Sequence, residues 1–197
     1  MYSALWHTIN RHPLMQVHAA SLFLVVYIDW MLMPLITKFE GLYLPIYMIG
    51  FFMLLSASDG FIQPLFKKIR QRYLYRFSAA LDTVQLACYA LAFTSPELFT
   101  YAMLTLFTVQ GITFEIARVH TTDYLTTWIE VKEYLMTRSL IISLATVTGT
   151  GFAMLFDLIS GNLTVLIGIA AVLTLAAIVL QLRLATLFKR FSPQEGL

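Results

Sequence analysis

Several ionisable residues stand within long apolar stretches of the sequence or at their ends, and they are the first candidates for chemistry. They are Asp29, Asp59, Asp82, Glu115, Arg118 and Arg138. A charged side chain at the centre of a membrane-spanning helix costs at least about 2.5–3.5 kcal/mol if it faces lipid. Each of these residues is therefore expected to be paired, hydrated or functional.

Asp29 is the strongest single candidate, because no cationic residue is expected at its depth. One interpretation is a proton or cation site, or a contact for a cationic substrate. The other is a neutral, protonated Asp that hydrogen-bonds to a neighbouring helix. We prefer the functional interpretation and assign Asp29 and Gln110 to a site for a substrate or coupling ion.

The remaining ionisable residues are expected to share one depth, near the cytoplasmic third of the membrane, where opposite charges on neighbouring helices can pair. They are Asp59, Asp82, Glu115, Arg118 and Arg138. Glu115 and Arg118 are three residues apart, so they can meet on one helical face. The set is either a static ion-pair network that fastens the helices or a gate whose pairs break and reform during transport.

The elements that position these residues follow from composition. The chain of 197 residues is 59% hydrophobic and 12% charged, with a mean hydropathy of +0.76, whereas soluble domains carry about 25% charged residues. A helix needs about 20 mostly apolar residues to span a bilayer, and open sheets cannot satisfy their backbone in lipid. We predict one all-α transmembrane domain, residues 1–197, with six spans. These spans are residues 14–36, 42–66, 74–94, 98–117, 135–156 and 163–182.

The basic residues predict the orientation. If the six spans alternate in direction, all of the 13 Lys and Arg residues except Lys38 fall on one side. The positive-inside rule makes that side cytoplasmic. Both termini are then expected in the cytoplasm, and we expect the membrane to be the bacterial inner (plasma) membrane. Residues 121–134 show apolar residues at helical spacing, which predicts an interfacial helix or an extension of the fifth span.

Other classes of chemistry find little support in the sequence. Cys88 is the only cysteine, so one chain can form neither a disulfide nor a Cys-based metal cluster. The four His residues lack metal-ligand spacing, and no nucleophile elbow, P-loop or Cys-x-x-Cys pair occurs. We therefore expect no enzymatic activity, no cofactor and no metal. The small net charge of +2 gives no reason to expect nucleic acid.

Three short patterns carry a resemblance to a known family. Asp59 is followed by the basic residues 67, 68, 70 and 72, span four contains Gln110-Gly111, and span five contains Gly149-Thr150-Gly151. This order of features resembles the amino-terminal six-helix half of a major facilitator superfamily transporter. The resemblance implies alternating access by two such halves, hence a homodimer or a separately encoded membrane partner. Gly111, Gly149 and Gly151 are also expected to let helices pack closely.

The sequence thus predicts a half-size secondary transporter for a small molecule or ion, with coupling to protons or cations as an option. Two alternatives stay open. A six-helix chain of this length also resembles the vitamin-binding component of energy-coupling-factor importers, and Ala19-Ala20-Ser21 is compatible with the small residues by which such components dock. The chain could instead be a non-transporting membrane subunit or assembly factor, whose charges only hold it together.

Overall fold

The computed structural model describes residues 8–10, 12–40, 71–125 and 129–191. Within these ranges every regular element is a helix, so the predicted all-α class is confirmed there. The helices are α1 (Pro13–Glu40), α2 (Gln71–Cys88), α3 (Leu91–Thr94), α4 (Pro96–Leu125), α5 (Val131–Ile159) and α6 (Leu163–Phe191). The predicted second span, residues 42–66, lies outside the described residues.

Four stretches of the described helices are long and apolar enough to cross a membrane: Pro13–Pro34, Gln71–Thr94, Val131–Ile159 and Leu163–Arg190. They coincide with the first, third, fifth and sixth predicted spans. The fourth predicted span lies within α4, which has 30 residues but is not among these four. The described part of the chain is that of an integral membrane protein.

The distribution of side chains supports this assignment, because apolar residues cover the outside of the bundle. Leu158 and Ile159 are 82% and 84% exposed, and Val147 and Val172 also face outward. A soluble protein seldom exposes such a continuous apolar surface. Polar residues such as Gln110 are buried instead, which is the arrangement expected when the solvent is lipid.

Aromatic contacts show how the helices run. The ring of Tyr75, near the start of α2, stacks on Phe188, near the end of α6, at 5.5 Å between centroids. Tyr124, at the end of α4, contacts the same Phe188 ring at 5.6 Å. His18 of α1 meets Tyr134 of α5. The starts of α1, α2 and α5 therefore share one end of the bundle with the ends of α4 and α6.

Gly149 allows α1 and α5 to approach closely. A Cβ atom at this position would lie 2.6 Å from the Tyr27 carbonyl oxygen and 3.3 Å from the Met31 nitrogen. Tyr27 and Met31 lie on α1, so the absence of a side chain at Gly149 sets the distance between the two backbones. Gly151 has nothing within 4 Å of an added Cβ.

Between α5 and α6, the chain reverses direction in a tight turn. Gly161 has a φ of +56°, a conformation that glycine adopts without strain. The Asn162 side-chain oxygen then accepts hydrogen bonds from the backbone nitrogens of Thr164 and Val165, at 3.0 and 3.4 Å. These bonds cap the start of α6.

For residues 121–134 two alternatives are predicted, an interfacial helix or an extension of the fifth span. α4 continues to Leu125, and α5 begins at Val131. Leu125, Ile129 and Tyr134 are all buried in one apolar cluster with Phe188. Leu125 and Ile129 of the pattern therefore face the protein core. Residues 121–125 belong to α4, and residues 131–134 belong to α5, the helix of the fifth predicted span.

Candidate functional site

One face of α2 carries a row of buried polar side chains along the whole helix. The row consists of Gln71, Tyr75, Ser78, Asp82, Gln85 and, just beyond the helix, Tyr89. Successive members are alternately four and three residues apart, which places them on one face. Each is at most 3% exposed. The inward face of this span is therefore polar over its full length.

The central part of this row contacts α4 through Gln110. The Gln110 Nε2 group donates one hydrogen bond to Asp82 Oδ1 and a second, at 3.0 Å, to Gln85 Oε1. An amide nitrogen has two hydrogens, so both of its donors are used. Gln85 Nε2 in turn donates to the Tyr89 hydroxyl oxygen at 2.9 Å.

Thr174 of α6 completes the chain of hydrogen bonds. The Thr174 hydroxyl donates to the Ala170 carbonyl oxygen at 2.8 Å, so its oxygen is left to accept from the Tyr89 hydroxyl, 2.7 Å away. The hydrogen bonds therefore run in one direction, from Gln110 to Gln85, from Gln85 to Tyr89 and from Tyr89 to Thr174. This arrangement fixes the orientation of the Gln85 and Gln110 amides and directs the Gln110 Oε1 atom away from its two acceptors.

Several buried polar atoms beside Asp82 have no hydrogen-bond partner among the described residues. They are Asp82 Oδ2, Gln110 Oε1, and both Oε1 and Nε2 of Gln181. Gln181 lies on α6 and is 0% exposed, and its side chain lies close enough to the Asp82 carboxyl for the amide to donate a hydrogen bond to it. Buried polar groups are nearly always satisfied, so the surroundings of Asp82 are the candidate functional site of the described residues.

Asp29 of α1 lines the same crevice as Asp82. A crevice of about 150 Å³ is lined by Val25, Ile28, Asp29, Asp82, Gln85 and Thr174, and it is too narrow at every point for a water molecule. None of these lining residues is basic. We call Asp29, Asp82, Gln85, Gln110, Thr174 and Gln181 the central cluster. It brings two carboxyl groups from different helices to one crevice, and the described residues of that crevice's lining include no cationic side chain.

A second group of polar residues, the His18 cluster, lies nearer the start of α2. His18 contacts the hydroxyl of Tyr75 through Nδ1 at 3.3 Å and that of Tyr134 through Nε2 at 3.2 Å. The Tyr75 hydroxyl also contacts Thr121 Oγ1 at 2.9 Å, and Gln71 Nε2 donates to that same oxygen at 2.7 Å. These contacts join α1, α2, α4 and α5.

The structure sorts the ionisable residues differently from the sequence-based expectation. Asp82 lies with Asp29 and Gln110, whereas Arg138 lies near enough to His18 to act on it electrostatically. The chain positions of Glu115 and Arg118 fall on α4, but their side chains are outside what the structure describes, as is Asp59. Gly111 is a partly buried position of α4.

Sequence reasoning missed the uncharged members of the central cluster, namely Gln85, Thr174 and Gln181. The signal that could have found Gln85 is the alternating spacing of polar residues in the third span. Gln181 could have been found as an amide near the end of the most apolar stretch, Leu163–Arg190. Neither signal says which helices meet.

Comparisons with known proteins add no assignment. No protein-family model matches this chain, and neither a curated protein nor a solved structure is detectably similar to it. Among the described residues, no group of three or more His, Cys, Asp and Glu side chains is placed to hold a metal ion.

Proposed function

We propose that this chain is a half-size secondary transporter whose central cluster binds the substrate or the coupling ion. It crosses the membrane six times with both termini in the cytoplasm, and it works by alternating access as a homodimer or with a separate membrane partner. Transporters of this kind bind their cargo near the bilayer midplane. Asp82 lies about midway along the stretch Gln71–Thr94, at a depth that suits this role.

The observation that carries the proposal is the pair of carboxyl groups, Asp29 and Asp82, at one crevice between α1, α2 and α6. Ionisable groups inside a membrane are costly and generally serve transport or proton transfer. A protein that used these residues only as a fastener would satisfy them with basic partners or complete hydrogen bonding. Here the described residues that line the crevice with Asp29 and Asp82 include no basic side chain, and among the described residues the buried Gln110 Oε1 atom has no hydrogen-bond partner.

The direction of the helices supports the six-span topology. α1 and α2 begin at the same end of the bundle, because His18 near the start of α1 contacts Tyr75 near the start of α2. Two successive parallel spans require the chain between them to return across the membrane. The predicted second span, residues 42–66, supplies the apolar length for that crossing.

The test is transport by the purified full-length protein in proteoliposomes. An imposed pH gradient is monitored with a luminal pH dye while Na⁺, K⁺, sugars, amino acids and organic cations are added in turn. We expect at least one of these to dissipate the gradient, and Asp82→Asn to abolish that response. Asp157→Asn is the matched control, because Asp157 is an exposed residue in the last turn of α5 and lies outside the central cluster.

Two results would contradict the proposal. The first is an Asp82→Asn protein that transports as well as the parent chain. The second is a parent protein that folds, as judged by a symmetric elution profile, but moves none of the compounds. The second result would favour the non-transporting subunit.

A further inference from the structure

We propose that the outward face of α6 binds one anionic phospholipid, whose phosphate is held by Arg183. The acyl chains lie along the apolar part of this face, and Arg190 lies at the level of the headgroup. The site is on the surface of the bundle, away from the central cluster, so lipid binding does not depend on transport.

The depth of Arg183 follows from the register between α2 and α6. Three neighbouring pairs define that register: Tyr75 with Phe188, Asp82 with Gln181, and Tyr89 with Thr174. From each pair to the next, the position moves seven residues forward along α2 and seven residues back along α6. The two helices are therefore antiparallel with a constant register. Arg183, two residues beyond Gln181, lies level with Ala80.

This position lies well inside the membrane-spanning stretches of both helices. Ala80 is about 4 Å from the middle of the stretch Gln71–Thr94, at a rise of about 1.5 Å per residue. Counted along α6 itself, Arg183 is about 10 Å from the middle of Leu163–Arg190. Both distances are smaller than about 15 Å, half the thickness of a hydrocarbon core. Because Arg183 is exposed, its charge requires a partner that comes from outside the bundle.

The outward face of α6 changes from apolar to basic along its length. Its apolar part consists of Val172, Leu175, Val179 and Leu182, which are 46–66% exposed. These residues are alternately three and four positions apart, so they share one side of the helix. Arg183 follows on that side, and the exposed Arg190 lies about two turns beyond it. This order of apolar and basic residues matches the acyl chains and the charged headgroup of a phospholipid.

The partner of Arg183 must supply negative charge at its depth. α6 contains no acidic residue. The exposed acidic side chains in the described part of the chain are Glu97, Glu130 and Asp157. All three lie at helix ends, in the first turn of α4, before α5 and in the last turn of α5. Among the residues that the structure describes, a second copy of this chain therefore has no exposed carboxylate at the level of Arg183.

A phospholipid can supply that charge, because the bilayer thins locally around a basic residue and the phosphate then reaches it. Lys189 and Arg190 add two further positive charges in the last turn of α6. Basic residues at a membrane surface attract lipids of net negative charge. An anionic phospholipid therefore fits this face better than a zwitterionic one.

The experiment is native mass spectrometry of the purified full-length protein in detergent, titrated with phosphatidylglycerol or with phosphatidylcholine of the same acyl chains. We expect the first phosphatidylglycerol to bind with a Kd at least about tenfold lower than that of the first phosphatidylcholine. Arg183→Gln should raise the Kd for phosphatidylglycerol about fivefold, which is the factor expected for one basic residue at an anionic lipid. The Kd for phosphatidylcholine should change less.

Two further variants separate this site from a general effect of charge. Lys132→Gln is the matched control, because Lys132 is an exposed basic residue near the start of α5, at the same end of the bundle but on another helix. It should leave the Kd for the first phosphatidylglycerol unchanged. Arg183→Lys keeps the charge and most of the side chain, so it should retain most of the preference for phosphatidylglycerol. A symmetric elution profile establishes that each variant is folded.

Several results would overturn the proposal. Equal affinity of the parent protein for the two lipids would remove the headgroup preference. Equal weakening by Lys132→Gln and Arg183→Gln, or by Arg183→Lys and Arg183→Gln, would show that a charge at residue 183 is not what holds the lipid. Displacement of the lipid by water-soluble glycerol phosphate would assign the site to a free phosphate. Loss of a dimer mass in Arg183→Gln, with the number of bound lipids unchanged, would assign this face to a second copy of the chain.

Discussion

Single buried hydroxyl groups hold the His18 cluster together, and Tyr75 is the residue on which most of its contacts depend. Its hydroxyl contacts Thr121 at 2.9 Å and His18 at 3.3 Å, while its ring stacks on Phe188. Removing the hydroxyl leaves the ring packing intact but takes a partner from two buried groups. Such groups cost free energy when they are left unsatisfied in a membrane interior.

We therefore expect Tyr75→Phe to lower the free energy of unfolding by about 0.5–2 kcal/mol. Tyr73→Phe is the control, because Tyr73 is 45% exposed and its hydroxyl accepts a hydrogen bond only at the surface, from Arg72. The thermal midpoint in detergent measures both variants. Equal midpoints for the two would show that the His18 contacts contribute little to stability.

The charged residues of the site could be found from sequence, but their grouping could not. Asp29 and Asp82 stand out because charge is costly in an apolar stretch, and Gln110 was assigned to the same site as Asp29. The predicted span begins at residue 74, so Asp82 was expected only a few turns from its cytoplasmic end. The helix begins three residues earlier, at Gln71, and Asp82 therefore lies near the middle of the stretch Gln71–Thr94. Gln110 and Asp29 lie beside it there. Such contacts between helices depend on rotation and packing, which one span's sequence does not specify.

Among the elements, α1 and α5 depend on one position for their close packing. An alanine Cβ at Gly149 would lie 2.6 Å from the Tyr27 carbonyl oxygen, which is backbone and cannot rotate away. We expect Gly149→Ala to push the helices apart and to destabilise the protein by about 1–3 kcal/mol, as overpacking commonly does. The measurement is the thermal midpoint in detergent.

Gly151 is the matched control for this prediction, because it lies on the same helix with nothing within 4 Å of an added Cβ. Gly151→Ala should leave stability unchanged or raise it by up to about 1 kcal/mol through helix propensity. A Gly151→Ala protein that loses as much stability as Gly149→Ala would mean that a general helix effect, rather than the contact with Tyr27, is responsible.

Element boundaries were predicted well where turn residues mark them and poorly where they do not. Ser95-Pro96 and Gly161-Asn162 stop and restart helices for local reasons, so the starts of α4 and α6 lie close to the expected positions. Residues 121–134 contain no such signal. Their apolar side chains could face lipid headgroups or the core. Ile129 and Tyr134 are buried beside Phe188 because of tertiary packing, which the local sequence does not specify.

For the molecule as a whole, charge distribution and helix direction agree. Arg72 and Arg76 follow the start of α2, Lys132 follows the start of α5, and Lys189 and Arg190 lie at the end of α6. These positions share one end of the bundle, as the contacts of Phe188 and His18 show. From the positive-inside rule we propose that this end is cytoplasmic. The positions of the basic residues along the sequence are enough to predict this orientation, because the prediction depends on the side of the membrane and not on contacts between helices.

The six-span topology makes a prediction about residue 10 that a five-span chain does not share. In a Cys88→Ala background, single cysteines replace Glu97, Lys189 and Asn10, and intact bacterial spheroplasts producing each variant are treated with a membrane-impermeant maleimide. Glu97→Cys should be labelled and Lys189→Cys should be protected, because the starts of α4 and the ends of α6 lie at opposite ends of the bundle. These two variants calibrate the assay.

Asn10→Cys then decides whether the chain crosses the membrane between α1 and α2. Asn10 precedes α1 at the end of the bundle that also holds Arg76 and Lys189, so we expect Asn10→Cys to be protected in spheroplasts and labelled after the cells are lysed. Its labelling in intact spheroplasts would place the start of α1 outside. It would then contradict the shared end defined by the contact of His18 with Tyr75, and with it the parallel direction of α1 and α2 from which the crossing by the predicted second span, residues 42–66, is inferred.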